Sequence, residues 1–266
     1  MDLLEAIDDR GVATLTLNRP DRHNSFDGKM VSHLIDALRR VDASADVRVV
    51  VICGNGHSFS AGADIEWLRR MSVASFEENL ADAAALAELM QRLDRLTKPT
   101  LAFIHGAAYG GGVGLAACCD IVIATDRASF CLSEAKLGII PAVISPFVIR
   151  AIGVRQMRRY VMTAEVIFPQ VAKEIGLVHE FASEAEAPSL RENIIEALLR
   201  CAPGAQTEAK LLAFLCEGRS SGGDLAQETA HRIAERRATP EGREGLRAFL
   251  EKRPPPWSLR GKESDV

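Results

Sequence analysis

Two glycine-bearing segments limit the folds open to this chain more than any other part of it. Residues 58–64 and residues 108–114 each lie between a predicted strand and a predicted helix. Backbone N–H groups at such a junction have no partner inside the helix and can bind negative charge. Glycine lets a ligand approach them, because it has no Cβ. Two such donors aimed at one oxygen would form an oxyanion hole.

Spacing alone also allows a plainer interpretation, in which both segments are only tight strand-to-helix turns. The triplet from Gly110 to Gly112 does not belong to a G-x-G-x-x-G pattern with a suitable acidic residue downstream. The segments therefore do not indicate nucleotide binding. Anion binding and simple turns both stay open at this point.

Hydrophobic periodicity predicts strands that alternate with helices, the pattern of a layered α/β fold. We predict strands at residues 12–18, 47–53, 100–104 and 121–124, and a short one at 177–181. We predict a loop at 54–62 and helices at 29–41, 76–96 and 115–119, with a short helix capped by Asp64 and a terminal helix from Thr239 to about Arg253. The β and α elements fill residues 1–200, and a C-terminal helical region occupies 201–266.

Composition excludes several classes of function. The 266 residues are 47% hydrophobic, enough for a large domain with a substantial core. A net charge of −4 without a long Lys/Arg run argues against nucleic acid as the partner. No apolar run approaches the ~20 residues of a membrane span, and the acidic start is unlike a signal peptide. We therefore predict a soluble cytoplasmic protein with no membrane partner.

The cysteines and histidines carry no recognisable metal motif. The six cysteines include no C-x-x-C pair, and we interpret all of them as reduced core thiols. The histidines have no metal-ligand spacing, and His105 is better explained by packing or a local hydrogen bond. No metal site is predicted.

Four ordered motifs resemble those of the crotonase family, the enoyl-CoA hydratase/isomerase group. The first joins Asn18-Arg19-Pro20 and Asn24 to the F-S-A-G-A-D run that ends at Asp64. The others are the Gly-rich run at 105–120, the S-E-A-K-L-G-I-I-P run at 133–141 and the final helix at 241–253. The resemblance covers about residues 5–253. It implies a crotonase-type ββα spiral core and a homo-oligomer, a trimer or a dimer of trimers, with the C-terminal helical region as its trimerisation region.

The resemblance assigns the chemistry to three residues. The N–H groups of Ala63 and Gly111 would hold the thioester oxygen of an acyl-CoA substrate. Glu134 would move a proton at the α- or β-carbon, or activate water. Without the family, Glu134 is better explained as a solvated turn residue.

Gly114 departs from the pattern of the two-glutamate hydratases, which carry their second glutamate at this position. Glycine cannot hold water or move a proton with a side chain, so we expect it to leave room beside the acyl chain for a branched or carboxylated substrate. With the run I-P-A-V-I-S-P-F at 140–147, the G-G-G-V-G-L run resembles the bacterial branch of 3-methylglutaconyl-CoA and isohexenylglutaconyl-CoA hydratases. Those enzymes act in leucine and acyclic-terpene breakdown.

For coenzyme A, the resemblance points to five residues near the path of the pantetheine and the nucleotide. They are Arg22, His23 and the main chain of Ala61, Asp64 and Ile65. No separate cofactor is predicted, because the substrate itself carries coenzyme A.

Two further pairs have a functional and a plain explanation. Phe249 and Lys252, three residues apart on the terminal helix, would reach the ligand of a neighbouring subunit, but packing explains them equally well. Arg69 and Arg70 either form an exposed helix surface or meet a second carboxylate on a glutaconyl substrate.

The predicted function is an enoyl-CoA hydratase with a branched or carboxylated, methylglutaconyl-type substrate. A Δ3,Δ2-enoyl-CoA isomerase is the main alternative, since one carboxylate can suffice for that reaction. A thioester hydrolase on the same scaffold is a third, supported by no distinctive residue. An acyl-CoA-binding protein without turnover is the alternative from another class.

Overall fold

The computed structural model of the chain describes residues 1–258. Its larger sheet has strands in the order β1 (Leu3–Ile7), β2 (Val12–Leu17), β3 (Val49–Gly54), β5 (Thr100–Ile104), β7 (Ile121–Thr125) and β9 (Glu180–Ala182). β1 and β2 are antiparallel, and every other neighbouring pair is parallel. A smaller parallel sheet contains β4 (Ser58–Ser60), β6 (Ala107–Tyr109) and β8 (Ser129–Cys131).

Helices follow the strand pairs along the chain. They are α1 (Gly28–Ala43), α2 (Ile65–Met71), α3 (Phe76–Asp94), α4 (Gly111–Cys118), α5 (Ser145–Thr163), α6 (Pro169–Glu174), α7 (Ala187–Leu199), α8 (Pro203–Cys216), α9 (Asp224–Ala238) and α10 (Pro240–Leu250). A strand of the large sheet, a short strand of the small sheet and then a helix recur three times, beginning at β3, β5 and β7. This is the predicted crotonase-type ββα spiral, and the α/β fold class is confirmed.

The large sheet is apolar because helices cover both of its faces. The first four residues of β3, V-V-V-I, are all buried. One face packs against α1, whose Met30, Leu34 and Leu38 recur at helical spacing in the main core. The other face packs against α7 in a second cluster that includes Val49, Val51, Leu101, Ile123 and Ile195. The strands therefore read as continuous hydrophobic runs, which made them predictable.

The structure corrects several predicted boundaries. Residues 54–62 are not entirely loop, because β4 lies within them, and the short strand β9 begins at Glu180 instead of 177. α4 starts at Gly111, before the predicted 115, since the glycine triplet itself forms its first turn. α10 ends at Leu250, and Lys252 lies beyond it in a left-handed conformation with φ 53°. The spacing had predicted that Phe249 and Lys252 share one face of a helix. This prediction is wrong, because Lys252 is not part of α10.

The C-terminal helices join the core through a buried arginine. Arg48 is the residue directly before β3, and it is 5% exposed. Its guanidinium donates to the carbonyls of Leu199, the last residue of α7, and of Cys201 and, at 3.3 Å, to that of Trp257. The predicted boundary at residue 200 falls between α7 and α8 and stays a prediction. Among the described residues, no helix combines the length and the apolar character needed to cross a bilayer.

We expect Arg48→Met to lower the free energy of unfolding by about 2–4 kcal/mol, because several carbonyls lose a charged donor. Chemical denaturation measures this change. Arg39→Met is the matched control: Arg39 is half exposed and pairs with Asp36 and Glu88 on the surface. Its loss should cost no more than about 1 kcal/mol. Equal effects of the two substitutions would contradict the anchoring role of Arg48.

Candidate active site

A cavity of about 260 Å³ opens where the two glycine-bearing segments meet. Its wall includes Gly62, Ala63, Gly110, Gly111 and Glu134. Side chains from α1, α2, α3 and the segment before α5 complete it, and most of them are apolar. The structure thus brings together the three residues to which the resemblance assigns the chemistry.

The two glycine turns lie directly against each other. Gly62 (φ 90°) and Gly110 (φ 51°) both adopt left-handed conformations that favour glycine. A Cβ at Gly62 would lie 3.1 Å from the carbonyl oxygen of Tyr109 and 3.9 Å from Cα of Gly110. A Cβ at Gly62 would therefore crowd the second turn, and a Cβ at Gly110 would crowd the carboxyl group of Glu134. The glycines therefore place Ala63 and Gly111, the next residues of each turn, at the same end of the cavity.

The amides of Ala63 and Gly111 differ from those around them. Asp64 N–H donates to the carbonyl of Phe26 at 2.8 Å, and Gly110 N–H donates to that of Cys131 at 2.9 Å. Within residues 1–258, neither the Ala63 nor the Gly111 N–H donates a hydrogen bond to the protein. Gly111 is the first residue of α4, where an N–H has no partner inside the helix. Both donors are free to bind a ligand oxygen that carries negative charge.

The carboxyl group of Glu134 lies beside the second turn. A Cβ at Gly110 would be 3.0 Å from its Oε1. Its Oε2 is buried and has no hydrogen-bond partner among the described residues. Burial raises the pKa of Glu134 above its usual value, and the residue's own backbone N–H offsets the rise only in part. A carboxyl group in this state can accept or give a proton at the cavity.

The space beside Gly114 is filled. A Cβ at Gly114 would lie 2.3 Å from Cγ2 of Ile144 and 3.1 Å from Cε of Met90. Ile144 lines the cavity, whereas Gly114 is buried behind it. The expected room beside the acyl chain is therefore absent at Gly114. An isoleucine methyl occupies the volume into which a second glutamate would extend.

The first motif holds the Ala63 turn in place. Asp64 is 3% exposed, caps α2 by accepting from the N–H of Glu66 at 2.9 Å, and accepts from Arg19 at 2.8 Å. Asn24 donates to the carbonyls of Asn55 and Ser58. Several residues of this motif thus have structural partners, which explains why the motif spans two distant segments.

The residues predicted to bind coenzyme A lie at the rim of the same turn. Ala61 N–H donates to the carbonyl of His23, and His23 Nδ1 lies 3.1 Å from Oγ of Ser58. Arg22 pairs with Asp64 at 3.1 Å, with its side chain 54% exposed. Ile65 is exposed. A charged cleft that includes Arg19, Arg22 and Arg70 adjoins the cavity and shares Asp27 and Trp67 with it.

The remaining predicted residues lie outside the cavity. Arg69 pairs with Glu66 on the surface, and Arg70 lies in the charged cleft. Neither therefore reaches the acyl cavity to meet a second carboxylate. Phe249 is 80% exposed, and neither it nor Lys252 lines the cavity of its own chain.

Sequence reasoning missed Asp82 and Trp67. The Trp67 indole N–H donates to Oδ1 of Asp82 at 2.7 Å, and both residues line the cavity. A signal was present, because Asp82 is the only charged residue in the run L-A-D-A-A-A-L-A of α3. The run alone did not show which face of the helix points into a cavity.

A larger cavity of about 480 Å³ lies under α8, and it has no comparable chemistry. Its two basic side chains, Lys210 and Arg150, pair with Asp120 and Asp94. Burial raises the pKa of the thiols at its floor, Cys118 and Cys119, so neither is a ready nucleophile. All six cysteines are free thiols, as predicted, but Cys201 and Cys216 are exposed and do not belong to the core. Among residues 1–258 no cluster of side chains has the makings of a metal site.

Comparison with known proteins supports the class of enzyme that this fold and cavity indicate. The family model for enoyl-CoA hydratase/isomerase matches residues 8–260. A crystal structure of an enoyl-CoA hydratase from Shewanella pealeana superposes with a TM-score of 0.93 at 43% identity, covering 97% of this chain and 96% of that one.

Two relatives extend the comparison. A Thermus thermophilus protein described as a candidate enoyl-CoA hydratase is 36% identical over 92% of this chain and 96% of its own. The 2,3-dehydroadipyl-CoA hydratase of Escherichia coli is 32% identical over 94% of this chain and 96% of its own. The chain belongs to the enoyl-CoA hydratase/isomerase family, the crotonase family. It is an enzyme of the hydro-lyase type, and acyl-CoA binding fits this membership.

We expect Glu134→Gln to stabilise the protein near neutral pH relative to wild type. Because burial raises the pKa of Glu134, the folded wild type keeps a proton that the unfolded chain releases near the usual value of 4.5. Its free energy of unfolding therefore falls as pH rises from that value to the raised pKa, and glutamine removes this loss. Chemical denaturation from about pH 4 to about pH 8 measures the difference. The exposed Glu217→Gln serves as control, and a pH-independent difference for Glu134→Gln would count against a raised pKa.

Proposed function

We propose that the protein adds water across the α,β-double bond of an enoyl-CoA. The thioester oxygen binds the N–H groups of Ala63 and Gly111, which act as an oxyanion hole, and Glu134 handles the proton. The observation that carries this proposal is the presence, at a single cavity, of two unpartnered amides and of the Glu134 carboxyl group, whose buried Oε2 is unpartnered.

The proposed chemistry follows from the charge that develops. As the water oxygen bonds to the β-carbon, Glu134 accepts a proton from that water and the thioester becomes an enolate. The negative charge on its oxygen is stabilised by the two amides, and each such donor is typically worth ~10²–10³ in rate. Glu134 then returns a proton to the α-carbon, so one carboxyl group serves both steps. A raised pKa suits this exchange, because acid and base forms must both be accessible.

Coenzyme A is proposed to lie along the rim of the Ala63 turn. The main chain of Ala61, Asp64 and Ile65 and the side chains of Arg22 and His23 would contact its nucleotide and pantetheine. The adjoining cleft supports this by its position beside the cavity and by its four basic side chains, three of which pair with acidic side chains of the same cleft. No separate cofactor enters the proposed reaction.

A neighbouring subunit is proposed to complete the coenzyme A site. Phe249 and Lys252 lie on the outside of the C-terminal region, and Leu250 beside them is 78% exposed. An exposed apolar end of α10 favours burial against another copy. The trimer or hexamer expected from the family resemblance would supply that copy.

For the acyl group, the cavity favours a branched, uncharged chain over a carboxylated one. Its wall around Ile140, Val143 and Ile144 is apolar, and no arginine or lysine among the described residues lines it. A methylglutaconyl-type substrate would bring a second carboxylate without a cation to meet it. We therefore retain the branched part of the prediction and not the carboxylated part.

A Δ3,Δ2-enoyl-CoA isomerase remains the second candidate, and one observation favours it. Ile144 occupies the place of a second carboxyl group, so Glu134 alone would move the proton between the α- and γ-carbons. The same amides would hold the same enolate oxygen.

Ultraviolet absorbance of the conjugated enoyl-thioester tests the proposal. Loss of the band from a 2-enoyl-CoA, branched or straight, indicates hydration. We expect Glu134→Gln to lower this rate by about 10²–10⁴, and Glu217→Gln to leave it unchanged. Gain of the band from a 3-enoyl-CoA indicates isomerisation instead. Binding of acyl-CoA with no spectral change from any substrate would make the protein a binder and overturn the proposal.

We expect a glutamate at position 114 to fit into the fold only when the side chain of Ile144 is also made smaller. We expect Gly114→Glu to lower the free energy of unfolding by about 1–3 kcal/mol, because its Cβ overlaps the isoleucine methyl. Adding Ile144→Ala to Gly114→Glu should recover stability and raise hydration above that of the single variant. Thermal unfolding and hydration rates measure both effects, with Ile144→Ala alone as control. A stable Gly114→Glu variant would contradict the overlap.

A further inference from the structure

One charged side chain in the cavity has no part in the proposed reaction. Asp82 lies in the otherwise apolar run L-A-D-A-A-A-L-A of α3 and lines the cavity beside Leu86. Its Oδ1 accepts a hydrogen bond from the Trp67 indole at 2.7 Å. Trp67 comes from α2, so the hydrogen bond ties the two helices together and fixes the carboxylate at the wall.

The other acidic groups of the cavity are neutralised or poised for proton exchange. Asp27 pairs with Arg19 at 3.1 Å and accepts from the N–H of Met30. The pKa of Glu134 is raised by burial, which favours its neutral form. Asp82 is different, because the partner that holds it is a neutral indole and no lysine or arginine lines the cavity within residues 1–258.

We propose that Asp82, held by Trp67, makes the cavity select uncharged acyl groups and reject carboxylated ones of equal length. This inference rests on the proposed function, in which the cavity holds the acyl part of the thioester. A carboxylate on the acyl chain would share a partly desolvated, apolar cavity with the Asp82 carboxylate. Like charges repel more strongly there than in water, and such repulsion is a common source of specificity.

Trp67 acts as a positioning residue in this scheme. Its indole N–H directs the carboxylate, and its ring supplies apolar wall. Trp67→Phe keeps most of the ring area but removes the donor, so the carboxylate loses its fixed position. We expect a smaller loss of selectivity from this variant than from neutralising Asp82 itself.

Equilibrium binding of two saturated thioesters tests the inference. Hexanoyl-CoA and adipyl-CoA have acyl chains of equal length, and the second ends in a carboxylate. We expect wild type to bind hexanoyl-CoA at least about tenfold more tightly. Asp82→Asn should reduce this ratio to within about twofold of one, mainly by strengthening adipyl-CoA binding. Glu77→Gln, an exposed change on the same helix, should leave the ratio as in wild type.

Because saturated thioesters cannot be hydrated, this ratio is measured whether or not the enzyme turns over an enoyl-CoA. The predicted ratios without turnover of any enoyl-CoA would overturn the proposed function and support the selectivity. Equal affinity of wild type for the two thioesters, or an unchanged ratio in Asp82→Asn, would overturn the selectivity and leave hydration standing. Partial loss of the ratio in Trp67→Phe would support the positioning role.

Discussion

The contact between the two glycine turns is the constraint on which the rest of the site depends. Gly62 packs closely against the main chain of Tyr109, where a Cβ would lie 3.1 Å from the carbonyl oxygen, and its positive φ disfavours a side chain. Each turn ends a short strand of the small sheet, and those strands pair in parallel. Sheet pairing thus sets the separation of the turns, and left-handed glycines set their direction. The glycine turns thereby bring Ala63 and Gly111 to one cavity, where the proposed reaction uses their N–H groups.

A site built in this way contains polar groups without hydrogen-bond partners, which a folded core otherwise avoids. The cavity contains two N–H groups without partners and a carboxyl oxygen buried without a donor. The buried oxygen of Glu134 carries a desolvation cost, of the order of 1–3 kcal/mol for a neutral group. The surroundings offset it: the Asp64 network holds one turn, and the Arg48 bonds hold the helices behind the sheet. Preorganised donors need no rearrangement when charge develops on a bound oxygen.

The sequence allowed most of the large sheet and the longer helices to be predicted, because buried strands are continuous apolar runs and α1 repeats its apolar residues at helical spacing. The strands β4, β6 and β8 are three residues each, too short for any periodicity. Ile144 could not be placed beside Gly114, since tertiary packing brings them together. Asp82 could not be placed either. The sequence shows that it is the only charged residue in an apolar run, but not that its side chain faces the cavity. The glycine turns were the exception, because their position between strand and helix follows from the backbone properties of glycine.

The cavity wall combines N–H donors and carboxyl groups with no lysine or arginine among the described residues. In the proposed reaction, negative charge on the thioester oxygen meets N–H dipoles, which are fixed and carry no net charge, so no counterion has to be moved. A lysine or arginine in the cavity would stabilise the ionised form of Glu134 and lower its pKa, which would make the return of the proton harder. An apolar wall without cations keeps that pKa raised. The absence of basic side chains from the described wall therefore suits the proton exchange proposed for Glu134, and the same absence leaves a carboxylated acyl chain without a partner.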